Sequence, residues 1–216
     1  MKKLIHIEIN LLALGKSFSQ SALAEISAAN IGQDALKYQL GHDHYHYDNS
    51  SFSESDKYCE SLRHETQDLI KQGDTAKARI SFGKLTHTVQ DLYAHSNYVN
   101  LFREAYPAVA AEEIDPMIEV ILSDPKLISG KLYYPWEAIT FIPGLPAGVA
   151  KIFPSNSHAV MNKDDPTKDH YEYAFFAAVK RTVLELEKMF EKLTTEEILA
   201  FTGKTAGEDL LTKNKI

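Results

Sequence analysis

The sequence holds a single cysteine, Cys59, which excludes an intramolecular disulfide and a zinc site built from several thiolates. Positive charge is also scarce. Twenty-three lysines and arginines face 30 aspartates and glutamates, for a formal net charge of −7. A general nucleic-acid binder needs a basic field for phosphates, so that class is excluded. The exception would be a small strand entering a cleft where a metal supplies the positive charge. No apolar run reaches the ~18 residues that span a bilayer, and no internal repeat or linker divides the chain. Hydrophobic residues make up 44% of the 216, enough for one core that needs no disulfide.

Lys2, Lys3 and the apolar stretch after them, with Ala22-Leu23-Ala24, imitate a secretion signal and its cleavage site. His6, Glu8 and Asn10 interrupt that stretch, where a signal peptide is apolar. The expectation is a soluble protein, cytoplasmic rather than secreted. Cleavage after Ala24 would also discard His6.

The hydrophobic pattern predicts one all-α domain over 1–216. Residues 4–14 are densely apolar and end at Gly15, favouring a helix with a glycine stop. A second helical pattern runs from Ser17 to about Gln39, followed by a loop over Gly41–Ser51. Ser53 with Asp56 resembles a capping box for a helix ending at Gly73. Asp74 then caps a long helix through about Phe102, and Glu112–Leu122 forms a short one. The stretch 125–166 carries six of the eight prolines and reads as part of a long irregular excursion over about 123–168, with room for a small hairpin. His170–Leu193 is amphipathic and helical, Thr194 with Glu197 starts a last helix, and 212–216 is a frayed tail.

Histidine is the residue in excess. Nine are present, seven of them at His42, His44 and His46, at His87 and His95, and at His158 and His170. His87, Asp91 and His95 stand at i, i+4 and i+8, so they share one helix face. The two histidines are ~12 Å apart along the axis, too far for one ion. Asp91 lies between them, and its two oxygens suit it to bridge two metals. The spacing thus favours a polynuclear site, with solvated polar positions on an amphipathic helix as the plain alternative. Asp34 and Asp48 are further candidate carboxylates, or else cap and turn residues. His6 is by default a satisfied core histidine, and His158, Asp164, Asp165 and His170 flank the late loop.

The string Gly83-Lys-Leu-Thr-His87-Thr-Val-Gln-Asp91-Leu-Tyr-Ala-His95-Ser-Asn-Tyr-Val99 resembles a segment of proteins related to the fungal heterokaryon-incompatibility protein C family. Asn30 with Gln33-Asp34, His46-Tyr-Asp48, and His158 with Asn162-Lys163-Asp164 extend that resemblance over most of residues 6–185. The family is in turn similar in motif to the zinc-dependent phospholipase C and single-strand nuclease superfamily. That resemblance implies an all-helical fold and two or three zinc ions. It implies His6, Asp34, His46, His87 and Asp91 as metal ligands, with His95 at a shifted spacing. His158, with Asp164 or His170, would complete the last site. The implied activity is phosphodiester hydrolysis by a zinc-activated water, with Asp34 and Asp91 in catalytic roles. A small phosphodiester or phospholipid would be the substrate. Trp136–Phe153 would then be a lip touching a membrane surface, or else a loop packed on the helices. The competing expectation is a metal-stabilised recognition or scaffold domain without turnover.

Overall fold

A computed structural model describes residues 1–39, 41–133 and 152–206. Among them the secondary structure is helical, with no strand and two isolated bridges, Ser96–Ser129 and Lys131–Ser157. The helices are α1 (Lys3–Leu14), α2 (Gln20–Gly32), α3 (Leu36–Gln39), α4 (Phe52–Lys71), α5 (Thr75–His95), α6 (Tyr98–Ala105), α7 (Glu119–Leu122), α8 (His158–Met161), α9 (Tyr171–Phe190) and α10 (Thr195–Thr202). The all-α expectation therefore holds. No described helix is long and apolar enough to cross a membrane.

Helix α5 is the axis of the bundle, packed by α2, α4 and α9. From Ser81 to His95 every residue except Lys84 is buried. A helix enclosed on all sides places its polar residues inside, where each needs a partner. Gly83 makes the closest crossing possible. A Cβ there would stand 2.4 Å from the Ile26 carbonyl oxygen and 2.7 Å from Ala29 Cβ, so any side chain would push α2 off α5. Helix α1 joins the core through His6, Ile9, Asn10, Ala13 and Leu14.

Several boundaries differ from the sequence pattern. The segment from Ser17 breaks after Gly32, and Asp34 lies at that break. Helix α4 begins at Phe52 after Ser51 rather than from a Ser53 box. The helix opened by Asp74 ends at His95 instead of Phe102, because Ser96 turns to an extended conformation. Long-range bonds hold that turn: Gly130 N–H donates to the His95 carbonyl at 2.8 Å and Asn97 N–H to the Ile128 carbonyl at 3.0 Å. Glu112–Leu122 is not one helix but a 3-10 turn at Ala111–Glu113 and the single turn of α7. The described part of the late excursion contains α8 and the two bridges but no hairpin. Most of the Trp136–Phe153 segment and all of the 212–216 tail lie outside the described residues.

Candidate metal centre

Three elements converge on the buried C-terminal half of α5. The first is α1, which brings His6. The second is the 42–51 loop, whose tight path needs left-handed backbone at Tyr47 (φ 53°), Asn49 (φ 53°) and Ser50 (φ 56°). Such conformations are costly for non-glycine residues. Here they are held by the buried Tyr47 hydroxyl donating to Asp56 at 2.6 Å and by Asn49 N–H donating to the Gly130 carbonyl at 2.8 Å. The result turns His46 and Asp48 inward together. The third element is α8, which brings His158. Its approach requires Gly130, where a Cβ would lie 2.7 Å from His158 Cα.

Asp91 is fully buried at the centre, and its two oxygens face different groups. Oδ2 lies 3.0 Å from both His46 Nδ1 and His87 Nε2, which are themselves 3.0 Å apart. Asp34 Oδ1 is 3.8 Å from His87 Nε2. On the other side, Oδ1 lies 2.8 Å from the Met1 amine, 3.4 Å from His6 Nε2 and 3.8 Å from His95 Nε2. Further along, His95 Nδ1 is 3.2 Å and His158 Nε2 3.9 Å from Asp48 Oδ1. Asp164 Oδ1 approaches the Met1 amine at 3.4 Å and His95 Nε2 at 3.6 Å. Among the described residues, three groups have the compactness of a metal site: His46–His87–Asp91, His6–Asp34–His87 and Asp48–His95–His158. His42 and His44 join none of these and instead pack rings with Tyr45. His170 caps α9, and Asp165 pairs with Lys2.

The surrounding amides fix the chemistry of His6. Gln90 Nε2 donates to Asn10 Oδ1 at 2.9 Å and to Thr182 Oγ1 at 3.0 Å, and Thr182 in turn donates to the Ala178 carbonyl. Gln90 Oε1 is therefore the acceptor, receiving Asn30 Nδ2 at 3.1 Å and His6 Nδ1 at 2.6 Å. His6 therefore carries a proton on Nδ1 and turns Nε2 toward Asp91. That nitrogen is buried with no hydrogen-bond partner among the described residues. As a neutral imidazole, His6 would aim the lone pair of that nitrogen at a buried carboxylate, which is repulsive unless a cation lies between them. The donor set is hard oxygen and borderline imidazole nitrogen, which suits zinc. The 3.0 Å triangle of His46, His87 and Asp91 is close to the about 3.3 Å between ligands of a tetrahedral zinc. Residues and metal fit. The outer-shell support is uneven: His6 has Gln90, and His95 Nδ1 has the His46 carbonyl at 3.2 Å. The outer nitrogens of His46 and His87 meet no partner among the described residues.

The electrostatics reflect one pool of buried charge. Burial alone would push Asp91 up, but the Met1 amine, His87 and His95 hold it well below the usual carboxylate range. Burial opposes ionisation of His95 as well, yet Asp91 and Asp48 outweigh it and raise the imidazole to about 10. The Met1 amine rises to about 11 as Asp164, Asp91 and Asp34 overcome its burial. His87 goes the other way, down to about 4, through burial and the neighbouring His6. His158 is likewise depressed, chiefly by burial. His87 thus presents a neutral donor, as metal ligation needs.

A model of the VWA7 N-terminal domain matches residues 1–113. The chain belongs to the VWA7 N-terminal domain family. Among curated proteins it is similar to von Willebrand factor A domain-containing protein 7 of Rattus norvegicus, at 32% identity over 91 residues. That match covers 40% of this chain and 10% of the relative, so the chain spans about a tenth of the relative's length. No solved structure matches. The VWA7 match spans α1 to α6, and with them His6, Asp34, His46, Asp48, His87, Asp91 and His95. His158 and Asp164 lie beyond it.

These findings correct the resemblance drawn from the sequence. The family found is the VWA7 N-terminal domain, not the heterokaryon-incompatibility or phospholipase C proteins. The zinc-dependent phosphodiesterase reading rested on that resemblance and is withdrawn, and a phosphodiester or phospholipid substrate loses its ground with it. The physical reason is general. A string such as His87-Thr-Val-Gln-Asp91 encodes two ligand-type side chains on one buried helix face, and that geometry does not specify a reaction. Sequence reasoning also missed Asn10, Gln90 and Thr182 as partners behind the cluster, along with the Met1 amine. The available signal was Gln90, a long amide on an otherwise enclosed helix.

Proposed function

We propose that this VWA7 N-terminal domain is a metal-binding module whose buried histidine–aspartate cluster holds two or three zinc ions. The observation that carries the reading is Asp91, fully buried, with each carboxylate oxygen facing its own set of nitrogens. His46, His87 and Asp34 would share an ion with Oδ2, and His6 would take one with Oδ1. Asp48, His95 and His158 would hold a third, with Asp164 beside it. Bound zinc would neutralise the buried carboxylates and tie α1, the 42–51 loop, α5 and α8 together, so that folding and metal binding become one equilibrium. The same ground supports a cytoplasmic location for the domain with residues 1–24 in place, since His6 and Ile9 are core residues.

The test is zinc content and thermal stability of untagged protein, before and after chelation and reloading. The reading expects two or three zinc per chain, a lower melting temperature after chelation, and recovery on reloading. Asp91→Asn should abolish tight binding of the ions held by its two oxygens, leaving at most the one at Asp48, His95 and His158. Protein that takes up no zinc at neutral pH, and melts alike with and without chelator, would overturn it.

A further inference from the structure

Away from the cluster lies a cavity of about 480 Å³ beyond the end of α5, lined by Asn97, Asn100, Asn162, Lys163, Lys168 and His170 among others. None of the cluster's candidate ligands contributes to its wall. In a chain of net charge −7, this wall is cationic. Lys163 is buried, and its Nζ donates to the Ser96 carbonyl at 2.7 Å and the Met161 carbonyl at 3.3 Å. Two carbonyls leave one N–H of the ammonium uncommitted. Asp164, its neighbour in the chain, faces the Met1 amine and His95 instead. Lys168 is half-buried and makes one long bond, to the Ala159 carbonyl at 3.4 Å. Among the described residues, Asp169 is the only carboxylate on the wall, and that residue is exposed.

A buried lysine is ordinarily paired with a carboxylate. Lys163 and Lys168 form no ion pair among the described residues, so the cavity keeps a positive field, offset only in part by Asp164 behind Lys163 and Asp169 on the wall, that an incoming anion would neutralise. The amide of Asn97 is committed to the Lys126 carbonyl and the Ile128 N–H, and Asn162 Nδ2 donates to the Ala159 carbonyl at 3.1 Å, which leaves the Asn162 carbonyl oxygen and the Asn100 carboxamide among the lining groups. The volume exceeds that of a bare ion and falls in the range of small-molecule sites.

We propose that this cavity binds a small polar molecule bearing an oxyanion, with Lys163 and Lys168 as its counter-charges and Asn100 and Asn162 as hydrogen-bonding groups for its body. The proposal does not rest on the metal reading, and the variants keep the two apart, because neither lysine is a candidate ligand.

The test is calorimetric titration of the full chain with glycerol phosphate, gluconate and glycerol, the first two separating phosphate from carboxylate. Binding of at least one anion is expected, without binding of glycerol, and weakening as sodium chloride rises from about 50 to about 200 mM. Lys168→Met should weaken the anion about tenfold, and Lys163→Met at least as much. Lys168 is half-buried, so its variant serves if Lys163→Met does not fold. No binding by either anion at tens of millimolar, binding unchanged in Lys168→Met, or equal binding of glycerol would overturn the proposal.

Discussion

The two sides of Asp91 are built differently. Toward Oδ2, His46 and His87 close a triangle with every edge at 3.0 Å, and all its members lie within the span matched by the VWA7 family. Toward Oδ1 and beyond, the contacts to His6, His95, His158, Asp48 and Asp164 range from 3.2 to 3.9 Å, an ammonium stands among them, and two members come from the late part of the chain. The tight side is fixed by one rigid helix and a loop pinned through Tyr47 and Asn49. The loose side depends on α1, α8 and the 162–165 segment docking correctly. A site assembled from distant segments gains more order from a bound cation than one already set by a helix.

The largest effect should come from removing what the two sides share. Asp91→Ala leaves several buried groups without a partner and should cost on the order of 3–5 kcal/mol, read by urea denaturation, with loss of the zinc held at both of its oxygens. Next, His87→Ala and His95→Ala should each lower zinc content by about one ion while the other side keeps its own. Loss of all metal in both variants would show that the sides are not separable. Gln90→Leu removes the acceptor that orients His6 and should weaken zinc affinity by about 10- to 100-fold, measured by competition with a chelator, with the His87 side least affected.

A pH series sharpens the comparison through its sign. In chelated protein, His95 is raised from 6.5 to about 10 and the Met1 amine from 8.0 to about 11. The folded state then binds more protons than the unfolded one in that interval, so the stability these two groups contribute is full below about pH 6.5 and is lost as pH rises toward 10. His87, lowered to about 4, instead contributes stability that is lost as pH falls from about 6.5 toward 4. Zinc-loaded protein should show the reverse trend between about pH 5 and 7, because protons compete with the metal for histidine. Melting temperatures across both ranges check the pair of slopes. The smallest effect is a control far from the cluster. Thr194→Ala removes the capping box of α10, should cost ~1 kcal/mol, and should leave zinc content unchanged.

Much of the fold was legible: α9 follows from apolar spacing, α10 from its Thr194–Glu197 capping box, α1 from its glycine stop rather than from periodicity, and α4 from its end at Gly73 though not from its start. The end of α5 was not. The helical pattern resumes after Ser96 and Asn97, and bonds to Ile128, Gly130 and Lys163, more than 30 residues on, hold the turn there. At the site, the i, i+4 spacing of His87 and Asp91 correctly predicted that they share a face. The same spacing could not show that Asp91 would divide its oxygens between a loop histidine and α1. The amides behind the cluster carry no charge and no motif of their own, so Asn10 and Thr182 looked like ordinary helix residues. Family membership was misread for a related reason, since ligand-type side chains at helical spacing define a geometry that unrelated families can share.

X-ray absorption at the zinc edge on untagged, zinc-loaded protein tests the central claim most directly. The account predicts stoichiometric zinc in a shell of nitrogen and oxygen at roughly 2.0–2.1 Å, with no sulfur, and a fall in that signal to at most one ion per chain in Asp91→Asn. A signal at the level of adventitious surface metal, unchanged by the substitution, would contradict it.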